Sequence, residues 1–193
     1  SHGGAIYFGD TIGRIRITDC HFTNCKAGRS GGAIVLRGNF GKVSITGSES
    51  ANIDKDDVDT SKLSIFTGCE AATNGGAISL ETVQVNVDGA TQEVYTHYGR
   101  TNILNLSGVR FNNCKARGDY TYTENGKKLG NDDGTGGALN LSVEINEIGI
   151  NYCWFVGCES GGLSTNLGGA GICFGYANLG DTPISSTGGE VQV

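Results

Sequence analysis

The sequence predicts an all-β chain wound as a right-handed parallel β-helix, a solenoid of about four to five coils with inserted loops. Three observations predict it. Three short motifs recur in a fixed order along the chain. Each motif alternates apolar and polar residues, the mark of a strand with one buried face. Glycine supplies 33 of the 193 residues with no three-residue period, which fits short strands joined by tight turns.

The first motif is Gly-Gly-Ala-aliphatic-x-apolar, found at Gly3 to Phe8, Gly31 to Leu36, Gly75 to Leu80 and Gly136 to Leu141. A degenerate copy runs from Gly169 to Phe174. The second is an aliphatic pair, Ile15-x-Ile17, Val43-x-Ile45, Leu104-x-Leu106 and Ile148-x-Ile150, with a last copy at Val191-x-Val193. The third is Phe-x-Asn/Gly-Cys, beginning at Phe22, Phe66, Phe111 and Phe155, which lie 44, 45 and 44 residues apart. Longer intervals arise where loops are inserted, at 47–63, 83–101, 117–134 and 161–168.

A short strand with one apolar face cannot bury that face alone. Three such strands per repeat can do so if each repeat forms one coil and coils stack about 4.8 Å apart. Equivalent residues then form columns of Phe, of aliphatics and of Cys. Gly-Gly ahead of the first strand fits a corner that needs positive φ or leaves no room for a Cβ. A β-sandwich also has many short strands, but it does not require the same three motifs in the same order four times. The whole of 1–193 reads as one segment, an internal part of a longer repeat array, whose uncapped ends invite other copies or further coils end to end.

The formal charge is −6 and the pI about 5.0. Nucleic-acid affinity rests on concentrated positive charge, which the sequence lacks, so no nucleic-acid partner is expected. No apolar run approaches the roughly 18 residues of a membrane span.

Gly31-Gly32-Ala33-Ile34, preceded by Phe22-Thr23-Asn24-Cys25-Lys26-Ala27, resembles the repeats of the chlamydial polymorphic membrane proteins. Those are autotransporter adhesins whose passengers carry GGA(I/L/V) and FxxN tetrapeptides, and similar repeats occur in surface proteins of some protists. Where FxxN has Asn, this chain has Cys25, Cys69, Cys114 and Cys158. The resemblance implies a secreted or surface-displayed β-helix used in adhesion or as a structural filament or coat.

Those four cysteines share one position of the repeat, and Cys20 and Cys153 add a second position five residues earlier. Bridges Cys20–Cys25, Cys153–Cys158 and Cys69–Cys114 would pair six of the seven; the alternative is a ladder of buried free thiols. Cys173 is expected to face outward and is the candidate for pairing with another chain. Zinc is disfavoured by the lack of a CxxC or Cys/His cluster.

Asp54, Asp56, Asp57 and Asp59 are dense enough in hard oxygen ligands to be a weak Ca²⁺ candidate, without EF-hand spacing; the plainer reading is a solvated acidic turn. Asn105 and Asn140 head N-glycosylation acceptor patterns and are expected to point outward. Outward positions of the first strand are read as Ala5 and Tyr7, Ala33 and Val35, Ala77 and Ser79, and Ala138 and Asn140. No ladder of carboxylates appears there, so the sequence reads as non-enzymatic, with no catalytic residue or cofactor. The alternative is a carbohydrate-active enzyme of the pectate-lyase-like type. Trp154, in the outward position His21, Ile65, Arg110, Trp154, offers an aromatic contact for a surface protein or glycan.

Overall fold

The computed structural model describes residues 2–49, 58–86, 95–118, 121–124, 127–131, 134–161 and 169–174. The chain is all-β, and its principal sheets are parallel. Among the described residues the sole helical element is one 3-10 turn, Thr60–Lys62.

The Gly-Gly-Ala motifs build the first sheet from β1 (Ile6–Phe8), β5 (Ile34–Arg37), β9 (Ile78–Glu81), β16 (Leu139–Ser142) and β19 (Ile172–Phe174), in that order. The second sheet contains β2 (Ile12–Thr18), β3 (His21–Thr23), β6 (Asn39–Thr46), β7 (Ser64–Thr67), β12 (Arg100–Asn112) and β17 (Glu144–Val156). A third sheet joins the two-residue strands β4 (Lys26–Ala27), β8 (Glu70–Ala71), β13 (Lys115–Ala116) and β18 (Glu159–Ser160). Every pairing in these three sheets is parallel and places equivalent motif residues side by side, such as Phe22 with Phe66, Phe66 with Phe111 and Phe111 with Phe155.

The aliphatic and Phe motifs were expected as separate strands of a three-stranded coil; they lie in one sheet. In the third and fourth repeats they fuse into single strands of 13 residues, β12 and β17. A left-handed residue sits where they meet, Asp19 (φ 52), Gly108 (φ 67) and Tyr152 (φ 50), and redirects the backbone without ending the pairing. β12 accordingly pairs with β6 through Ser107 and with β7 from Val109 onward. The insertion at 47–63 opens the second repeat at that same junction, leaving the register on both sides intact. Of the other expected loops, those at 83–101 and 117–134 carry antiparallel hairpins, β10 (Val83–Asn86) with β11 (Tyr95–Tyr98) and β14 (Thr121–Glu124) with β15 (Lys127–Asn131), and 162–168 lies outside the described residues.

The interior is columnar. Phe22, Phe66, Phe111 and Phe155 stack with centroids 4.8, 5.1 and 4.8 Å apart and ring planes within 12° of parallel. The strand spacing dictates that distance. Val43, Ile45, Leu104 and Leu106 fill the adjoining columns and are buried.

The two glycines of each motif do different work. Gly3, Gly31, Gly75 and Gly136 hold φ between 60° and 64°, a region that L side chains seldom adopt. Gly32 and Gly76 need bareness instead, since a Cβ on either would lie 2.0 or 1.9 Å from the next repeat's carbonyl oxygen. The residue before each motif cysteine, Asn24, Gly68, Asn113 and Gly157, is also left-handed, with φ from 52° to 61°. Asn is the non-glycine residue that tolerates this conformation best, which explains the Asn/Gly alternation there.

The first sheet departs from expectation. Val35, Ser79 and Asn140, read as outward, are fully buried, as are Ala33, Ala77 and Ala138. The central strands β5, β9 and β16 are covered on both faces, the usual condition of a parallel sheet, whereas Ala5 just ahead of β1 and Tyr7 on it are exposed as expected.

Candidate binding surface

The motif cysteines form a thiol ladder. All seven cysteines are free thiols, and none of the three considered bridges is formed. Each sulfur is turned back toward backbone oxygen: Cys69, Cys114 and Cys158 donate to the Phe22, Phe66 and Phe111 carbonyls of the preceding repeat, each at 3.5 Å. Cys20 and Cys153 likewise donate to the Thr18 and Asn151 carbonyls, two residues earlier in the chain. Thiols of neighbouring repeats stand next to one another along Cys25, Cys69, Cys114 and Cys158 and shift one another's titration.

Proximity to Cys114 holds both Cys69 and Cys158 down near 7, while those two neighbours and burial push Cys114 well above the usual thiol range. Burial raises Cys153 to about 12. Access then decides reactivity, because Cys69 and Cys114 are buried and Cys158 is half-buried. Iodoacetamide at pH 7.5 is expected to modify Cys158 first and to leave Cys69 and Cys114 unmodified until the chain is denatured. Peptide mass spectrometry of timed samples checks this; early labelling of Cys114 would contradict the ladder.

On the third sheet Lys26, Glu70, Lys115 and Glu159 alternate in charge from repeat to repeat, with Lys26–Glu70 at 3.2 Å and Lys115–Glu159 at 2.7 Å. These pairs are largely exposed and contribute little stability, of the order of 0–1 kcal/mol each.

The outward face of the second sheet differs. β2 alternates strictly, with Ile15 and Ile17 inward and Arg14 and Arg16 exposed. Arg14 stands beside Lys42 on β6, and Arg16 is followed across the sheet by Ser44 and Asn105. Among the described residues no carboxylate pairs with Arg14, Arg16, Lys42 or Arg110. Arg110 instead lies over the Trp154 ring, 3.9 Å from its centroid, a cation–π contact. Arg100 is paired, with Glu144 at 3.4 Å and with Asn146 at 2.9 Å. Beside the Arg14–Lys42 row an open groove of about 360 Å³ is lined by Thr11, Ile12, Gly13, Asn39, Phe40, Gly41, Arg100 and Asn102.

The sequence-predicted sites fall elsewhere. Asp54, Asp56 and Asp57 lie outside the described residues, as does Val191-x-Val193. Asp59 caps the 3-10 turn, accepting from the Ser61 amide at 3.0 Å and the Ser61 hydroxyl at 2.6 Å; these bonds hold its carboxyl below the usual range. Asn105 is half-buried at the centre of β12. Asn140 is a correction: it does not point outward to receive a glycan. Its amide donates to Ser79 and Ser142 at 3.1 and 3.0 Å, and Thr135 donates to it at 3.2 Å, so a buried polar network occupies it. Cys173 stands half-buried beside Asn140 on that same face.

The Arg14, Arg16 and Lys42 row was not singled out in the sequence, although its alternation with Ile15, Ile17 and Val43 is the signal that finds it. No described helix is long and apolar enough to cross a membrane.

These features define the class: an all-β chain of stacked parallel sheets with columnar packing and one basic sheet face. Comparison with protein-family models, curated proteins and solved structures finds no match.

Proposed function

We propose that the chain is a right-handed parallel β-helix serving as a non-enzymatic scaffold, secreted or displayed at a cell surface, that binds protein or glycan ligands as an adhesin or structural component. One observation carries this reading. The insertions leave the columns of equivalent residues undisturbed, so loops vary on a frame that does not. One strand set per repeat, added in the same order, supports helical winding, and parallel crossovers are right-handed in nearly all proteins. The resemblance of the Gly-Gly-Ala and Phe-x-Asn/Gly-Cys motifs to polymorphic membrane protein repeats supports surface display.

The test has two arms. Cells producing the protein are treated with a membrane-impermeant biotin reagent, and purified chain is incubated with polyuronate. Labelling of intact cells without polyuronate cleavage is the expected result. Labelling only after lysis would remove the surface assignment, and cleavage would replace the scaffold by the pectate-lyase-like enzyme.

A further inference from the structure

We propose that the outward face of the second sheet, at the groove over Gly13 and Gly41, binds an acidic polysaccharide through Arg14, Arg16 and Lys42. The site lies on a sheet face and not on the inserted loops, so it goes beyond the scaffold reading and stands on the second sheet alone.

The argument starts from charge. The chain carries a formal charge of −6, yet this face holds three cations with no carboxylate partner among the described residues. Elsewhere the described lysines pair off, as Lys26, Lys62 and Lys115 do. Unpaired cations side by side repel one another, and an anion relieves that repulsion. Arg14 and Lys42 occupy adjacent strands, about 4.8 Å apart along the stack. Arg16 lies two residues further along β2 on the same face, about 7 Å away. The cations therefore form a small lattice, suited to a ligand whose negative groups recur along its length.

The groove supplies the second requirement. Gly13 has nothing within 4 Å of where a Cβ would stand, so the backbone there lies open beside the cations. Asn39 and Asn102 line the same groove with amides that can donate to and accept from hydroxyls. Ser44 and Asn105 continue that polarity past Arg16.

A protein ligand is disfavoured because Phe40, the aromatic in the groove lining, is 3% exposed and offers no anchor. Single-stranded nucleic acid is disfavoured for the same reason, since its bases need exposed aromatic platforms. A ring-shaped, hydroxyl-rich, anionic unit fits what remains, its acid group a carboxylate or a sulfate.

The experiment uses the full chain in titration calorimetry at low salt. The probes are an oligouronate bearing carboxylates alone, a heparin-derived oligosaccharide bearing sulfates, neutral dextran, and a single-stranded DNA oligonucleotide of matched charge. Saturable binding of one or both acidic saccharides is expected, and which one binds identifies the acid group. The double variant Arg14→Ser/Lys42→Ser should weaken that binding about tenfold or more. Lys26→Ser/Lys115→Ser, which removes equal charge from the third sheet, should not. Gly13→Leu fills open space without touching a charge, so it should abolish binding while leaving the unfolding midpoint unchanged.

No binding of either acidic saccharide would overturn the proposal. So would normal binding by Gly13→Leu, or equal binding of DNA with the same dependence on Arg14 and Lys42, which would mark a surface blind to ligand type. Surface labelling of cells does not depend on any of these outcomes, so the scaffold reading fails or survives separately.

Discussion

Gly76→Ala is expected to destabilise the fold strongly, although it adds a single methyl group. The new Cβ would lie 1.9 Å from the Gly137 oxygen, 2.4 Å from the Lys115 nitrogen and 2.6 Å from the Lys115 carbonyl carbon. All three are backbone atoms held in place by the parallel ladders on either side, so no rotamer change relieves the overlap. Separating the repeats locally would break the hydrogen bond from the Gly76 amide to Gly136 and its neighbours from Ala77 and Ile78 to Ala138. Overpacking of side chains costs typically 1–3 kcal/mol; a clash with fixed backbone on two sides belongs at about 3 kcal/mol or above. That is a large share of a stability of about 5–15 kcal/mol. Gly68→Asn provides the contrast. Gly68 is left-handed at φ 60, but Asn24 and Asn113 fill the equivalent position, and the near atom is the movable Asn24 Oδ1 at 2.5 Å. Its cost should stay under about 1 kcal/mol. Guanidinium unfolding followed by circular dichroism measures both, and equal midpoints would show that the close approach at Gly76 does not exist.

Much of this architecture was legible because repetition makes each residue an independent witness to the same column. The spacing of Phe22, Phe66, Phe111 and Phe155 foretold a stack, and the rings do stack. Gly-Gly foretold a corner, though not that one glycine serves φ and the other serves contact. The division into strands was less legible. Tyr152 is left-handed without being glycine, asparagine or aspartate, so nothing in its identity announced a bend inside a continuous strand. Alternation misled at Val35, Ser79 and Asn140, because a period of two assumes one open face and the central strands of this sheet have both covered. The basic row escaped for a different reason. Arg14, Arg16 and Lys42 are distributed over two repeats, and only the register between β2 and β6 brings them together. The cysteine ladder was readable as a column, while its oxidation state was not: the direction of each sulfur depends on which carbonyl it meets.

Phe111→Ala should cost about 3–5 kcal/mol, the usual range for emptying a buried phenylalanine site. Phe111 is fully buried and touches a ring on each side, Phe66 at 5.1 Å and Phe155 at 4.8 Å. Strands fixed by hydrogen bonds above and below cannot collapse into the void, so little of the cavity is recovered. Phe22→Ala removes the same atoms, but Phe22 is half-buried and among the described residues stacks on Phe66 alone, so its cost should be roughly half as large. Phe111→Leu keeps most of the volume and should recover all but about 1–2 kcal/mol. The difference between the two alanine variants is the informative quantity. In a stack whose repeats touch only their neighbours, a residue packed on both sides belongs to two interfaces and one packed on a single side to one interface. Denaturant midpoints and slopes for Phe22→Ala and Phe111→Ala, measured side by side, test that arithmetic. Equal losses would mean that the phenylalanines do not act as a column of nearest-neighbour contacts, and the energetic basis for treating each repeat as one unit of a stack would go with them.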